Sequence, residues 1–199
     1  MEVNNVMRTL GTSTHTSHDR QVDDYYATHP IAAEWLLKLE PQLDRIIEPC
    51  CGEGHLAEVF KRENKLYDAF DLIDRGYGKV KDFFSAGYAG GVDIVTNPPF
   101  KEAQSCIEHA LNIIDNGRYA CFFLKIQFLE GKARQKFFLE NPPRRIWVSS
   151  SRIPCAMNGE FETYDEKKKK YIPVSSAVCY AWYVWEKGYK GKTELSWFN

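Results

Sequence analysis

The stretch that most narrows the fold lies between positions 45 and 65. Arg45-Ile46-Ile47-Glu48 reads as a short strand, Pro49-Cys50-Cys51-Gly52-Glu53-Gly54-His55 as a glycine turn, and Leu56 to about Lys65 as a helix. Strand, glycine turn and helix in that order form the βα unit of nucleotide-binding α/β sheets. Gly52 and Gly54 permit the turn and let a ligand approach the backbone. A third glycine would fall near Ala57 and is absent, which counts against a dinucleotide pyrophosphate. Glu48, at the strand end, puts a negative charge where a phosphate would otherwise sit, so a cationic ligand fits better.

The neighbouring segments extend the pattern. Tyr67–Leu72 is the next strand, and Asp71 lies 19 residues beyond Gly52, the spacing of a ribose-binding acid. Asp74 is the alternative. Asp82-Phe83 follows the Gly76-Tyr77-Gly78 turn and offers a carboxylate for an adenine amino group and a ring beside it; a solvated turn acid explains Asp82 equally well. Upstream, Pro30 suits the first position of a helix carrying apolar residues at 32, 33, 36 and 37, with Thr28 or His29 near the cap. Such a helix N-terminus can receive a carboxylate, although an ordinary capped helix accounts for the segment by itself.

Val92–Thr96 reads as a buried strand running into Asn97-Pro98-Pro99-Phe100. Two successive prolines have no N–H and cannot continue a ladder, so the chain leaves the sheet at Asn97 with a stiff backbone. An amide oxygen, a proline carbonyl and an aromatic ring then stand at the carboxyl end of a strand, where open α/β sheets bind ligands. The two oxygens can accept both hydrogens of one –NH2 group, and the ring can stack on a flat base. A Pro-rich turn with a buried Phe is the plainer account. Further on, Lys101–Asp115 and Lys132–Glu140 read as helices, and Arg118–Leu124, Arg145–Val148 and Ala177–Trp185 as strands, before a turn toward Leu195–Phe198. Asn141-Pro142-Pro143 repeats the motif's letters between a helix and a strand, and no chemistry is assigned to it. Residues 149–173 show no periodic element and carry Arg152, Phe161, Tyr164 and the run Lys167-Lys168-Lys169-Lys170. A loop of that length is usually functional or mobile. The lysines read as a solvated loop or a phosphate contact.

With 199 residues, 44% hydrophobic and 27% charged, the chain suits one globular domain. We expect a loose arm over residues 1–20 and a single domain over 21–199. His15 and His18 in the arm have no cysteine or carboxylate cluster beside them, and no metal site is expected. A net charge of −1 leaves any nucleic-acid contact to a local basic patch. The six cysteines form no C-x-x-C pair and read as reduced thiols of a cytoplasmic protein. No signal peptide or membrane span is legible.

Taken together, these residues resemble the S-adenosylmethionine-dependent amino-methyltransferases, specifically the small phage-type N6-adenine DNA methyltransferases. The resemblance runs from about Asp23 to the C-terminus. It rests on Asn97-Pro98-Pro99-Phe100, on Glu48-Pro49-Cys50-Cys51-Gly52-Glu53-Gly54 as the cofactor loop, on Asp71, on Thr28-His29-Pro30, and on the closing 181–191 segment. It implies a Rossmann-like α/β methyltransferase fold: a mostly parallel sheet flanked by helices, with an antiparallel last strand. It further implies S-adenosyl-L-methionine held by Thr28, Pro30, Glu48, Pro49, Cys50, Gly52, Gly54, Asp71, Asp82 and Phe83. Asn97, Pro98, Pro99 and Phe100 would be catalytic. The substrate would be DNA, its adenine flipped out or unpaired, met by Phe100, Arg152, Phe161 and Lys167–Lys170.

Larger members carry a separate target-recognition domain, and none is legible here. Specificity would then come from residues 149–173 or a partner subunit, or be slight, and a homodimer stays open. The same tetrapeptide type also serves enzymes that methylate adenine in RNA or a glutamine amide in protein. A non-catalytic nucleic-acid-binding module of the same fold and a nicotinamide-dependent oxidoreductase are the readings from other classes. The intact motif counts against the first, and the missing glycine and Glu48 against the second.

Overall fold

In a computed structural model, residues 26–156, 159–166, 168–174 and 178–199 are described. The arm expected over 1–20, with His15 and His18, lies outside them, as does Lys167 of the lysine run.

The chain forms twelve strands and four α-helices, among the described residues. A short β1 (Ala27–Thr28) leads into α1 (Ile31–Leu39); β2 (Ile46–Glu48) is followed by α2 (Ala57–Arg62), then β3 (Leu66–Asp71) and β4 (Lys79–Val80). β5 (Asp93–Thr96) precedes α3 (Ala103–Ile113), and β6 (Tyr119–Lys125) precedes α4 (Lys132–Glu140). β7 (Arg145–Ser149), β8 (Cys155–Ala156), β9 (Glu162–Asp165), β10 (Lys170–Pro173), β11 (Tyr180–Glu186) and β12 (Glu194–Phe198) complete the chain.

Eight strands make the central sheet, in the order β12-β7-β11-β6-β5-β2-β3-β4. β2 through β6 run parallel, and β11 is antiparallel to both β6 and β7. The expected antiparallel strand is therefore β11; beyond it, β12 joins the edge parallel to β7. Both faces of the sheet are covered. Phe122, Tyr183 and Trp185 point to the face packed by α3. Phe123 and Trp182, the alternate residues of the same strands, point to the face packed by α1 and α2. The buried indoles are satisfied by carbonyls: Trp182 Nε1 donates to Ala32 O and Trp185 Nε1 to Asn141 O, each at 2.9 Å. Glu40 is fully buried and accepts from the Arg145 guanidinium and from Trp147 Nε1 at 2.7 Å, tying the end of α1 to β7.

Two expectations are corrected. The helices over 56–65 and 101–115 are shorter than their apolar spacing suggests, ending at Arg62 and beginning at Ala103. Residues 149–173 are not without regular structure. They hold β8, paired antiparallel with β1, and the hairpin β9–β10. β8 has only two residues, and the hairpin is mostly exposed on both faces, so neither leaves an apolar alternation to read.

From β2 the chain proceeds outward to β3 and β4; from β5 it proceeds the other way, to β6. The order reverses between the adjacent strands β2 and β5, and a crevice opens outside their carboxyl ends.

Candidate active site

A cavity of about 270 Å³ occupies that crevice. Glu48 to Cys51 at the end of β2, Asp71 to Ile73 at the end of β3, Asp82 to Phe84, Asn97 to Phe100 after β5, and Tyr26 with Ala27 and Thr28 of β1 all line it. Residues far apart in sequence thus meet because parallel strands deliver every βα connection to the same sheet edge.

Asn97 is held in a defined orientation. Its Nδ2 donates to Thr28 Oγ1 at 2.7 Å and approaches Cys155 Sγ at 3.9 Å. Its Oδ1 is buried and has no hydrogen-bond partner among the described residues. An unpaired buried carbonyl is costly, and Asn97 is one of the residues that line the cavity. Phe100 is half-buried; Lys125 Nζ lies over its ring at 3.9 Å from the centroid and Tyr26 stacks at 6.1 Å. The ring expected to meet a base is already flanked by a cation and a second ring.

Glu48 is 2% exposed and its Oε2 also lacks a partner. Burial raises its carboxyl well above the ordinary value, the backbone N–H of Ala57 opposes the shift, and the Asp71 charge adds to it. Asp71 is positioned by the backbone: Oδ2 accepts from Gly52 N at 2.8 Å and Oδ1 from Ile73 N at 3.0 Å. A carboxylate has about four acceptor sites, so both oxygens keep capacity for a ligand hydroxyl. Asp74 accepts from Gly76 N at 2.9 Å in the following turn and does not line the cavity. Asp82 Oδ1 caps a short 3₁₀ turn by accepting from Phe84 N at 2.9 Å. Phe83 is buried against Phe70 and His109, and the exposed ring at the cavity is Phe84.

The other predicted residues divide between the cavity wall and its surroundings. Thr28 is a β1 residue bonded to Asn97; the acceptor near the α1 start is His29 Nδ1, which takes Ile31 N–H at 3.1 Å. Pro30, Gly52 and Gly54 do not line the cavity. Gly52 (φ 53°) acts through its N–H to Asp71. Gly54 has φ 83°, and a Cβ there would lie 2.4 Å from the Tyr77 ring, so ring packing demands this glycine. Phe161 packs edge-on against His29 and His55 at 4.8 and 5.3 Å, reaching the cavity rim only through His55. Arg152 is exposed and outside the cavity. Lys168 and Lys169 form the β9–β10 turn and Lys170 opens β10; Lys168 Nζ pairs with Asp165 at 3.7 Å. Sequence reasoning missed Cys155, Tyr26, Lys125 and Phe84. Of these, only Phe84 carries a sequence signal, its adjacency to the Asp82-Phe83 pair.

The sheet order, with its one antiparallel strand and its switch-point cavity, decides the architecture. The fold is that of the S-adenosylmethionine-dependent methyltransferases. A protein of Listeria monocytogenes assigned as a class I S-adenosylmethionine-dependent methyltransferase superposes with TM-score 0.56 at 13% identity, over 98% of this chain and 72% of the other. A protein of Pyrococcus horikoshii assigned as an RNA methyltransferase gives 0.54 at 16% identity, over 93% and 98%. The type IIG restriction endonuclease BpuSI gives 0.53 at 12% identity, over 89% of this chain and 27% of the enzyme. No protein-family model and no curated protein matches the chain. Among the described residues no group of His, Cys, Asp and Glu could hold a metal, and no helix is long and apolar enough to cross a membrane.

Proposed function

We propose that this chain is an S-adenosylmethionine-dependent methyltransferase acting on the exocyclic N6 amino group of adenine in DNA. The observation that carries the reading is the unpaired, buried Oδ1 of Asn97 beside Pro98 in the switch-point cavity. An acceptor so placed calls for a planar group that brings N–H donors.

The cavity residues fit the cofactor. Glu48 Oε2 is an unpartnered acid oxygen suited to a cationic end, and Asp71 has spare acceptor sites for ribose hydroxyls. Asp82, with Phe83 and Phe84, offers an acceptor and rings for the adenine. Pro49 and Cys50 form the wall between Glu48 and Gly52, and the α1 N-terminus at Pro30 lies just beyond the lining residues Tyr26 to Thr28. When bound, S-adenosylmethionine supplies a methyl group on a cationic sulfur.

Asn97 Oδ1 and the Pro98 carbonyl accept the two amino hydrogens of the target base. Those hydrogen bonds polarise the nitrogen and free its lone pair for attack, and Pro99 keeps the turn stiff. No strong base is needed beforehand, because a nitrogen that has been alkylated loses its proton readily. Catalysis is then alignment and charge placement. Phe100, with Tyr26 beside it, forms the aromatic side of the base site, and stacking of this kind is worth about 1–3 kcal/mol per base. Arg152, Phe161 and Lys168–Lys170, on segments outside the cavity, together with Lys167, are the polyanion contacts.

Transfer of tritium from labelled S-adenosylmethionine to DNA, RNA and protein in parallel tests the reading, with the labelled nucleoside identified after digestion. N6-methyladenine from DNA is expected. Label confined to RNA or protein would move the substrate assignment, and no transfer to any of the three would remove it.

A further inference from the structure

The backbone turn that presents Asn97 does not by itself decide which way its side-chain amide faces, and an amide turned over would present N–H in place of the carbonyl oxygen. It would then meet the N–H donors of an amino substrate with donors of its own. Something must select the productive face. Thr28 is 4% exposed and its hydroxyl lies 2.7 Å from Asn97 Nδ2. That hydroxyl is also 3.8 Å from Cys155 Sγ, and Asn97 Nδ2 is 3.9 Å from the same sulfur. Either group can donate in that Thr28–Cys155 contact; where the Thr28 proton is directed at the sulfur, only hydroxyl lone pairs are left to meet the amide, and they accept its N–H. Both partners are held by backbone: Thr28 pairs with Cys155 in the β1–β8 ladder, which brings residues 127 positions apart to one side of the amide. Among the described residues no such restraint bears on Oδ1, which is buried and unpartnered.

We infer that Thr28 is a positioning residue that locks the Asn97 amide with Oδ1 toward the cavity, and that the β1–β8 ladder exists at this edge to hold it there. The inference rests on the proposed methyl transfer and reassigns Thr28 from the cofactor's carboxylate to the catalytic amide. Orienting the acceptor matters after substrate is bound, so its loss falls on turnover and not on cofactor affinity.

Thr28→Val keeps the shape and removes the hydroxyl. We expect kcat for methyl transfer to an adenine-containing oligonucleotide to fall by about a hundredfold, the loss that a misplacement of roughly 1 Å costs. The dissociation constant of S-adenosylmethionine should hold steady, and Thr28→Ser should recover most of the rate. A second readout needs no activity. The Asn97 side-chain amide resonances, assigned by their disappearance in Asn97→Asp, should shift and exchange faster with water in Thr28→Val than in the wild type. Unmoved resonances overturn the inference whether or not the protein methylates DNA. A Thr28→Val protein weakened in cofactor affinity at unchanged kcat overturns it too, returning Thr28 to the carboxylate. Absence of methyl transfer in the wild type sinks the proposed function, and the resonances still decide the Thr28–Asn97 relation.

Discussion

The backbone N–H of Gly52 donates to Asp71 Oδ2 at 2.8 Å. That one contact joins the glycine turn after β2 to the acid at the end of β3, and explains why the two stand 19 residues apart. The strand β3 and the helix before it fill the interval, and the carboxylate arrives beside the turn it must brace.

The same contact gives Asp71 two tasks, bracing the turn and receiving the cofactor ribose. Asp71→Ala should weaken S-adenosylmethionine binding by the ~1.5–3 kcal/mol of charged hydrogen bonds and also lower the melting temperature, because Gly52 N–H and Ile73 N–H lose their acceptor. Asp71→Asn keeps one acceptor oxygen and should lose less stability than affinity. Calorimetry beside thermal melts checks both; unchanged affinity in the folded Asp71→Ala protein would displace it from the cofactor site.

Asn97→Ala should abolish methyl transfer while cofactor affinity persists. Asn97→Asp retains an acceptor and adds a charge near the cationic sulfur, so a large loss of rate with residual turnover is expected. The Thr28 hydroxyl can then reverse and donate to the carboxylate. In a Thr28→Val background Asn97→Asp should lose that residual activity. Single-turnover rates on the two single variants and the double variant measure the coupling.

Glu48 sets a pH dependence. Its folded-state value lies well above its ordinary one because burial disfavours the carboxylate. A raised folded value stabilises the protein below the unfolded pKa, and the contribution is lost as pH rises through the folded pKa. The cofactor-free protein should therefore lose stability over that rise, and Glu48→Gln should not. Glu48→Gln should also bind S-adenosylmethionine more weakly, since a neutral amide cannot neutralise a cationic end. Melts across pH with and without cofactor test the sign; a Glu48→Gln protein that follows the wild-type pH curve would refute it.

The basic turn of the β9–β10 hairpin predicts a salt effect. Replacing Lys167–Lys170 with serines should flatten the slope of log affinity for DNA against log salt by up to about 0.9 per lost contact. Lys168 already pairs with Asp165, so its share should be smaller than those of Lys169 and Lys170. The methylated base should stay adenine, because phosphate contacts position without reading sequence. Titrations at several salt concentrations decide; an unaltered slope would shift DNA contact to another surface.

Much of this protein is written locally. The run of strands and helices, the glycine turn after Glu48, the break imposed by Pro98-Pro99 and the 19-residue reach from Gly52 to Asp71 are short-range facts of sequence, and they suffice for a parallel sheet with its ligand edge at Asn97. Where local pattern weakens, so does the reading. Residues 149–173 carry strands too short and too exposed to leave a period, yet β8 among them supplies Cys155. Thr28 reads as a helix cap because it precedes Pro30, and only the β1–β8 pairing turns its hydroxyl toward Asn97. Phe83 and Phe84 are indistinguishable as letters; both line the cavity, and packing buries the first while leaving the second exposed. Backbone preferences act over a few residues and so can be read from neighbours. The direction of the Asn97 amide arises from groups tens of residues away, and the raised Glu48 pKa from burial with a smaller push from Asp71; both exist only once the sheet has assembled.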